Sequence, residues 1–371
     1  MPTRPPMRYH IMTQLRIWTT PLAAAALWLG ASLSRAGDQV PLRVDPAARL
    51  SPDPEASELW NLTAHFDGGY RLFTWFFITN EGPGQRTAAA IWYLVHPDGR
   101  VAEFRNGRLR GRWKLSPDRR RIDVASSSLD LRGPVYRVAI DSTSQRAKID
   151  LRFPAGAAPR WAAASPTSSP PTSTLRTDTL EIAAPMEGTI WDGGLSAPVV
   201  VRGTATLTHA WMNESLPRIV QRRIEFFTDQ PELTLYLSDI TAPSGGSRRW
   251  LALERGGTGY AKSDFEMMLD PSVLPIADRN YPLPARLVVR DGRISVEIRP
   301  QRVLLRRNPL AVLPQPFRFL YSLRLEPQWV WVDASFHLQL AADGASTSPP
   351  LSVDGRGILA VTFVNPLRLA E

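Results

Sequence analysis

The sequence contains no cysteine. That excludes disulfides, thiolate metal sites and cysteine nucleophiles, so the chain must hold itself together without covalent cross-links. Lysine is nearly missing as well: Lys114, Lys148 and Lys262 are the only three, and arginine supplies almost all the positive charge. No dense basic run interleaved with aromatics is present, which argues against nucleic acid as a partner. The arginines are expected on solvated strand faces, where they keep the chain soluble. The five histidines show no metal-ligand spacing, so no metal is expected. Gly194-Leu195-Ser196-Ala197-Pro198 fails the nucleophile-elbow pattern at its last position. No phosphate loop or dinucleotide fingerprint follows a strand, so no cofactor is expected. Beyond the N-terminus, no run is apolar enough to span a bilayer as a helix.

What is present is a chain of 371 residues with 43% hydrophobic and 21% charged residues, a globular composition large enough for about two domains. Proline is abundant at 34 and spread along the chain, which favours many short elements over long helices.

The first 36 residues read as an address. They hold Arg4, Arg8, Arg16 and Arg35 and no acid, so they carry four of the net nine positive charges. Arg16 precedes an apolar run from Pro21 to Leu33, and Ser34-Arg35-Ala36 offers small residues at both ends of a cleavage site. The run is shorter than the roughly 20 residues a membrane span needs. We expect a cleaved secretory signal over 1–36, a mature chain from near Gly37, and a periplasmic or secreted protein. Met12 is an alternative start, and an uncleaved membrane anchor is the competing reading.

The mature chain reads as strands. Ile149, Leu151 and Phe153 alternate with Lys148, Asp150 and Arg152, and Ile294, Val296 and Ile298 alternate with Ser295 and Glu297. A period of two means a sheet with one buried face. Longer apolar runs, rich in aromatic and β-branched residues, cover 70–78, 88–95, 198–207 and 328–340. Asp-Gly pairs at Asp67, Asp98, Asp192, Asp291, Asp343 and Asp354, with Asn106-Gly107, predict tight hairpins and therefore antiparallel neighbours. Pro54–Leu59 and Ser263–Leu269 are short helix candidates. Residues 157–174, rich in Pro, Ser and Thr, lack the apolar residues to join a core and are expected as a loop.

Two stretches carry a family resemblance. Trp60 to Arg100 is the first. The second is Val201 to Gly257, with Gly203-Thr-Ala-Thr-Leu-Thr-His209-Ala-Trp211 followed by strands bearing Arg222, Arg223, Tyr236 and Asp239. Together they resemble the AttH and carotenoid 1,2-hydratase group of the lipocalin-like superfamily. The resemblance implies an all-β chain of two consecutive antiparallel lipocalin-like barrels, here placed at 37–200 and 201–371. It also implies cofactor-free hydration of an isoprenoid double bond, with His209, Tyr236 and Asp239 as candidate catalytic residues.

The residues themselves support part of this. Leu207, His209 and Trp211 share one strand face, which gives a polar handle beside an apolar surface, as small-molecule sites have. Asp239 is the candidate acid, because a carboxyl group in an apolar cavity stays protonated and can donate. Tyr236 and Asp239 point to opposite faces of a regular strand, so a bulge would be needed to bring them together. Arg222 and Arg223 face opposite ways. The inward one could pair with Glu225 or a ligand carboxylate, and the alternative is a pair straddling the contact between barrels. The expected function is binding of an apolar small molecule, whether lipid, isoprenoid or carotenoid. A hydratase-like enzyme and a structural envelope protein with filled barrels are the alternatives. Peripheral membrane contact and the oligomeric state stay open.

Overall fold

The computed structural model describes residues 45–81, 86–156, 175–255 apart from 229 and 231, 258–270, 281–312, 325–341 and 351–365, together with 319, 322 and 323. The leader and the 157–174 loop lie outside these residues.

Among the described residues the chain forms two curled antiparallel sheets, matching two lipocalin-like barrels. The first contains β1 (Ser57–Phe66), β2 (Arg71–Thr79), β3 (Thr87–Val95), β4 (Val101–Arg108), β5 (Lys114–Leu115), β6 (Arg121–Val124), β7 (Ser127–Asp130), β8 (Val135–Ser142), β9 (Ala147–Pro154), β10 (Arg176–Asp192) and β11 (Val199–Met212). Its order is β4-β3-β2-β1-β11-β10-β9-β8-β7-β6-β5. A single turn of helix, α1 (Leu216–Ile219), leads to the second sheet. That sheet comprises β12 (Arg222–Thr228), β13 (Leu233–Thr241), β14 (Ser247–Arg255), β15 (Thr258–Lys262), β16 (Glu266–Leu269), β17 (Leu287–Asp291), β18 (Ile294–Arg307), β19 (Gln328–Leu340) and β20 (Leu351–Phe363). Its order is β15-β14-β13-β12-β20-β19-β18-β17-β16.

Each sheet is a meander whose first strand pairs with its last. In the first, β1 meets β11 from Ser57 opposite Met212 to Phe66 opposite Gly203. The sheets therefore change between Met212 and Arg222, not near residue 200. The strand expected to open the second barrel instead completes the first. Gly203 lies where β11 crosses β1: a β-carbon there would stand 1.8 Å from the His65 carbonyl oxygen. Side chains link the edge strands of each sheet to the far side of its curl. Asn106 on β4 donates to Ser127 on β7 at 2.8 Å. Lys262 on β15 reaches Asp291 on β17 at 2.5 Å.

The two kinds of apolar run now have distinct meanings. β8 and β9 alternate buried and exposed because their outer face is wet. β2 and β3 are buried almost throughout because both faces are covered. Phe76 and Trp92 fill the first curl, while Phe73, Trp75 and Tyr93 from the same strands pack in a layer shared with Trp329 and Trp331 of the second sheet. The continuous runs thus mark the contact between sheets. The second curl has its own core, around Phe226, Leu237, Phe336 and Leu359.

Four expectations from local sequence fail. Pro54–Leu59 is a turn running into β1, and the segment Ser263–Leu269 contains β16. Pairing with a neighbouring strand outweighs helix propensity in both, as expected for segments too short to hold a helix alone. Asn106-Gly107 and Asp354-Gly355 lie inside β4 and β20, not in turns. Gly355 is there for close packing: a β-carbon would meet the Phe336 ring at 2.5 Å.

Candidate functional site

The six residues singled out by sequence fall into three places. Strand parity sorts them, because neighbouring residues on β11, β12 and β13 face opposite sides of their sheets.

The layer between the sheets takes Arg223 and Tyr236, and with them Glu225, expected from the sequence as a partner of the inward arginine. Arg223 and Glu225 are two apart on β12 and so share a face. Glu225 is fully buried. Its Oε1 accepts from Arg223 Nη2 at 2.8 Å and from the Tyr236 hydroxyl at 2.7 Å. Burial dominates and pushes the Glu225 carboxyl up from 4.5 to about 7, against the opposing pull of Arg223 and Tyr236. Burial, then the Glu225 charge, drives the Tyr236 hydroxyl well above the usual tyrosine value. Aromatic faces line this layer. Trp75 stacks on Trp329 at 4.9 Å, Phe73 meets Trp331 at 5.0 Å, and Phe227 lies parallel to Tyr236 at 6.3 Å.

Several polar atoms in the same layer have no hydrogen-bond partner among the described residues: Glu225 Oε2, Arg223 Nε, Trp329 Nε1, Trp331 Nε1 and Thr362 Oγ1. Thr208 and Thr177 hydroxyls, on the strand faces that also carry Ala210 and Leu175 into the layer, share this state. Folded proteins satisfy the great majority of such groups with protein or water partners, so this layer is more polar than its tryptophan lining alone implies.

His209 and Trp211 sit elsewhere, on the face of β11 turned into the first curl. His209 is completely buried, stacked on Trp60 at 4.4 Å, with Nε2 2.7 Å from Glu58 Oε1. Glu58 also accepts the backbone N–H groups of Arg49 at 2.6 Å and Leu50 at 2.9 Å. The Arg49 guanidinium lies over Trp211, 5.1 Å from the ring centre. A shallow recess of about 20 Å³, open to solvent, is lined here by Arg49, Glu58, Asn80, Arg86 and Trp211. His209 lies behind it and serves as the hydrogen-bonded partner of Glu58.

Asp239 and Arg222 form the third group, on the opposite face of the second sheet from Tyr236. Asp239 receives Arg249 Nε at 3.1 Å and lies 3.6 Å from Arg222 Nη2. β12 and β13 pair in even register, Ile224 opposite Asp239 and Phe227 opposite Tyr236. The bulge that would turn Asp239 toward Tyr236 is therefore not there. Burial lowers the Arg222 guanidinium, with Asp239 opposing.

A further network lies at the other end of the first curl. Arg100 Nη2 can only donate, so His96 Nδ1 accepts it at 2.9 Å, and His96 Nε2–H then donates to Asp192 at 2.8 Å. Arg100 Nη1 also donates to Asp192, at 2.9 Å. These groups join the β3–β4 hairpin to the end of β10.

No protein-family model and no curated protein matches this sequence. Solved structures do. An AttH candidate from Nitrosomonas europaea superposes over 86% of this chain and all of its own, with TM-score 0.56 at 13% identity. The fold is AttH-like. Kievitone hydratase from Nectria haematococca matches over 91% of this chain and 98% of its own, with TM-score 0.54 at 9% identity. CghA, determined with Sch210972, matches over 90% and 98%, with TM-score 0.59 at 12% identity. At these identities the likeness concerns the fold, and it agrees with the two-barrel architecture that the sequence resemblance implied.

Proposed function

We propose that this chain is an exported lipocalin-like protein that holds an apolar small molecule, a lipid, isoprenoid or carotenoid, in the layer between its two sheets. The observation that carries this reading is the Arg223–Glu225–Tyr236 set, buried in the layer that the tryptophan faces line. Apolar walls with a few converging polar groups are how proteins hold small molecules. Export rests on the N-terminal pattern at 1–36.

A second reading is supported by the raised Glu225 carboxyl. An acid titrating near 7 is protonated often enough at neutral pH to donate, and ionised often enough to accept. Arg223 and Tyr236 occupy Oε1, which leaves Oε2 to carry the proton. Glu225 would protonate one carbon of an alkene, and the tryptophan faces would stabilise the carbocation. Water would add to the cation and return its proton to the carboxylate, giving an alcohol with no cofactor. In this reading Glu225 takes the role expected of Asp239.

The test combines native mass spectrometry of the purified protein, for co-purified lipid, with fluorescence titration and product analysis using squalene as probe. Binding that Trp331→Ala weakens and Trp211→Ala spares supports the layer. The reverse pattern moves the ligand to the recess beside Glu58, and no binding by any form leaves the filled-barrel protein as the better description. An alcohol product that vanishes in Glu225→Gln, with binding retained, selects the enzyme.

A further inference from the structure

Sequence reading spread the arginines over strand faces and found no dense basic run, but one short run, Arg108 to Lys114, holds four cations, and the structure exposes it. Between β4 and β5 the chain reads Gly107-Arg-Leu-Arg-Gly-Arg-Trp-Lys114, and every residue of it except half-buried Trp113 is exposed. The stretch between Glu103 and Asp118 holds no acid. Glu103 is already engaged by Arg105. Arg108, Arg110, Arg112 and Lys114 form no ion pair among the described residues, so four cations project together into solvent.

In their midst Leu109 is 50% exposed. The loop is tethered at the open end of the first curl: Trp113 Nε1 donates to the Arg86 carbonyl at 2.7 Å, and Arg86 with Arg49 lines the recess beside Trp211. The loop therefore stands beside Arg86 and Arg49 at this end of the molecule, with the exposed Leu109 among its cations.

We propose that this loop seats the protein on the surface of an anionic bilayer, its arginines on lipid phosphates and Leu109 in the boundary between headgroups and acyl chains. The chemistry decides between polyanions. A single-stranded nucleic acid would use exposed aromatic rings for stacking, and the single aromatic here is half-buried with its N–H engaged. A leucine set among cations matches the composition of an interface between charged headgroups and hydrocarbon. The inference does not rest on the ligand reading, since it concerns the outer surface and needs no ligand.

The experiment is co-sedimentation of the full chain with phosphatidylcholine vesicles, with and without phosphatidylglycerol. Each cation near such a surface contributes about 1 kcal/mol, about a fivefold change in partitioning. Partitioning onto the anionic vesicles should fall at least about tenfold in Arg110→Glu with Arg112→Glu. The shape-preserving pair Arg110→Gln with Arg112→Gln should lose less, in the same direction. Leu109→Ser should cost about fivefold, because it removes the inserted apolar surface. Arg152→Glu with Arg202→Glu, matched in charge at the opposite end of the sheet, should change binding less than about twofold, and salt at about 0.5 M should abolish the difference between vesicles. Equal binding to both vesicles at low salt overturns the proposal, as does an equal loss from the two reversed pairs. An inert Leu109→Ser, with double-stranded DNA bound as tightly as vesicles, also overturns it and marks a general polyanion surface. Comparison with the parent chain on neutral vesicles removes any contribution of the apolar N-terminal segment.

Discussion

Tyr236 donates its hydroxyl proton to Glu225 across two paired strands, at 2.7 Å and in complete burial. That hydrogen bond and the Arg223 ion pair keep a carboxyl group inside an apolar layer, and both can be tested by removing one partner at a time.

Glu225→Ala should destabilise the protein by about 3–5 kcal/mol in urea unfolding, because it leaves the buried Arg223 and Tyr236 donors without an acceptor. Glu225→Ala combined with Arg223→Met should cost clearly less than the single change. If the double variant is the less stable of the two, the pair is not acting as a unit.

Stability should fall as pH rises from about 4.5 to about 7. Glu225 is raised from 4.5 to about 7 in the fold, so across that window the folded state holds a proton that the unfolded chain has lost. A shift of that size corresponds to about 3 kcal/mol. Glu81 adds to the same trend: burial first, then Glu55, raises it to about 7 against Ser215 and Arg218. Urea midpoints should therefore be higher at about pH 5 than at about pH 7.5, and Glu225→Gln with Glu81→Gln should flatten the difference. An unchanged slope in that variant would place the proton uptake elsewhere.

Trp331→Ala should cost about 3–5 kcal/mol and should weaken ligand binding by ~1–3 kcal/mol, since the ring is fully buried against Phe73 and Trp75. Trp211→Ala, at the rim of the solvent-open recess, should leave binding within about twofold. Tryptophan fluorescence during ligand titration reads both.

Asp239→Asn should leave any turnover intact while lowering stability, because its partners are Arg222 and Arg249 on the far face of the sheet. Loss of product with unchanged folding would refute the placement of the acid at Glu225.

The fold was largely legible because strand periodicity is local. The 147–153 alternation predicts β9, and the 328–340 run is β19. The sheet boundary was not legible, since nothing in 199–212 says whether that strand pairs backward with β1 or forward with β12. The site was legible only in part. Period two placed His209 beside Leu207 and set Tyr236 and Asp239 on opposite faces, as observed. The partner of His209, Glu58, lies 151 residues away and left no local trace. Glu225 did leave one: an acid two residues after an arginine, inside the apolar strand Arg-Arg-Ile-Glu-Phe-Phe-Thr. That spacing supports the expected pairing of Glu225 with an inward arginine, here Arg223.

The pairing of β1 with β11 orders events in time as well as in space. β1 can zip to β2 as soon as the hairpin at Asp67 forms, but its other edge has no neighbour until Val199–Met212 arrives. Contacts this distant in sequence close slowly, since the loop entropy is lost before the contact rewards it. In the interval, ten residues of β1 offer bare backbone donors and acceptors beside an apolar face, the form of edge that recruits strands from other chains. The same delay recurs between β12 and β20. Each barrel is therefore most prone to aggregate just before its last strand docks, and a chaperone that shields β1 and β12 until then would raise the folded yield more than one acting on any outer strand.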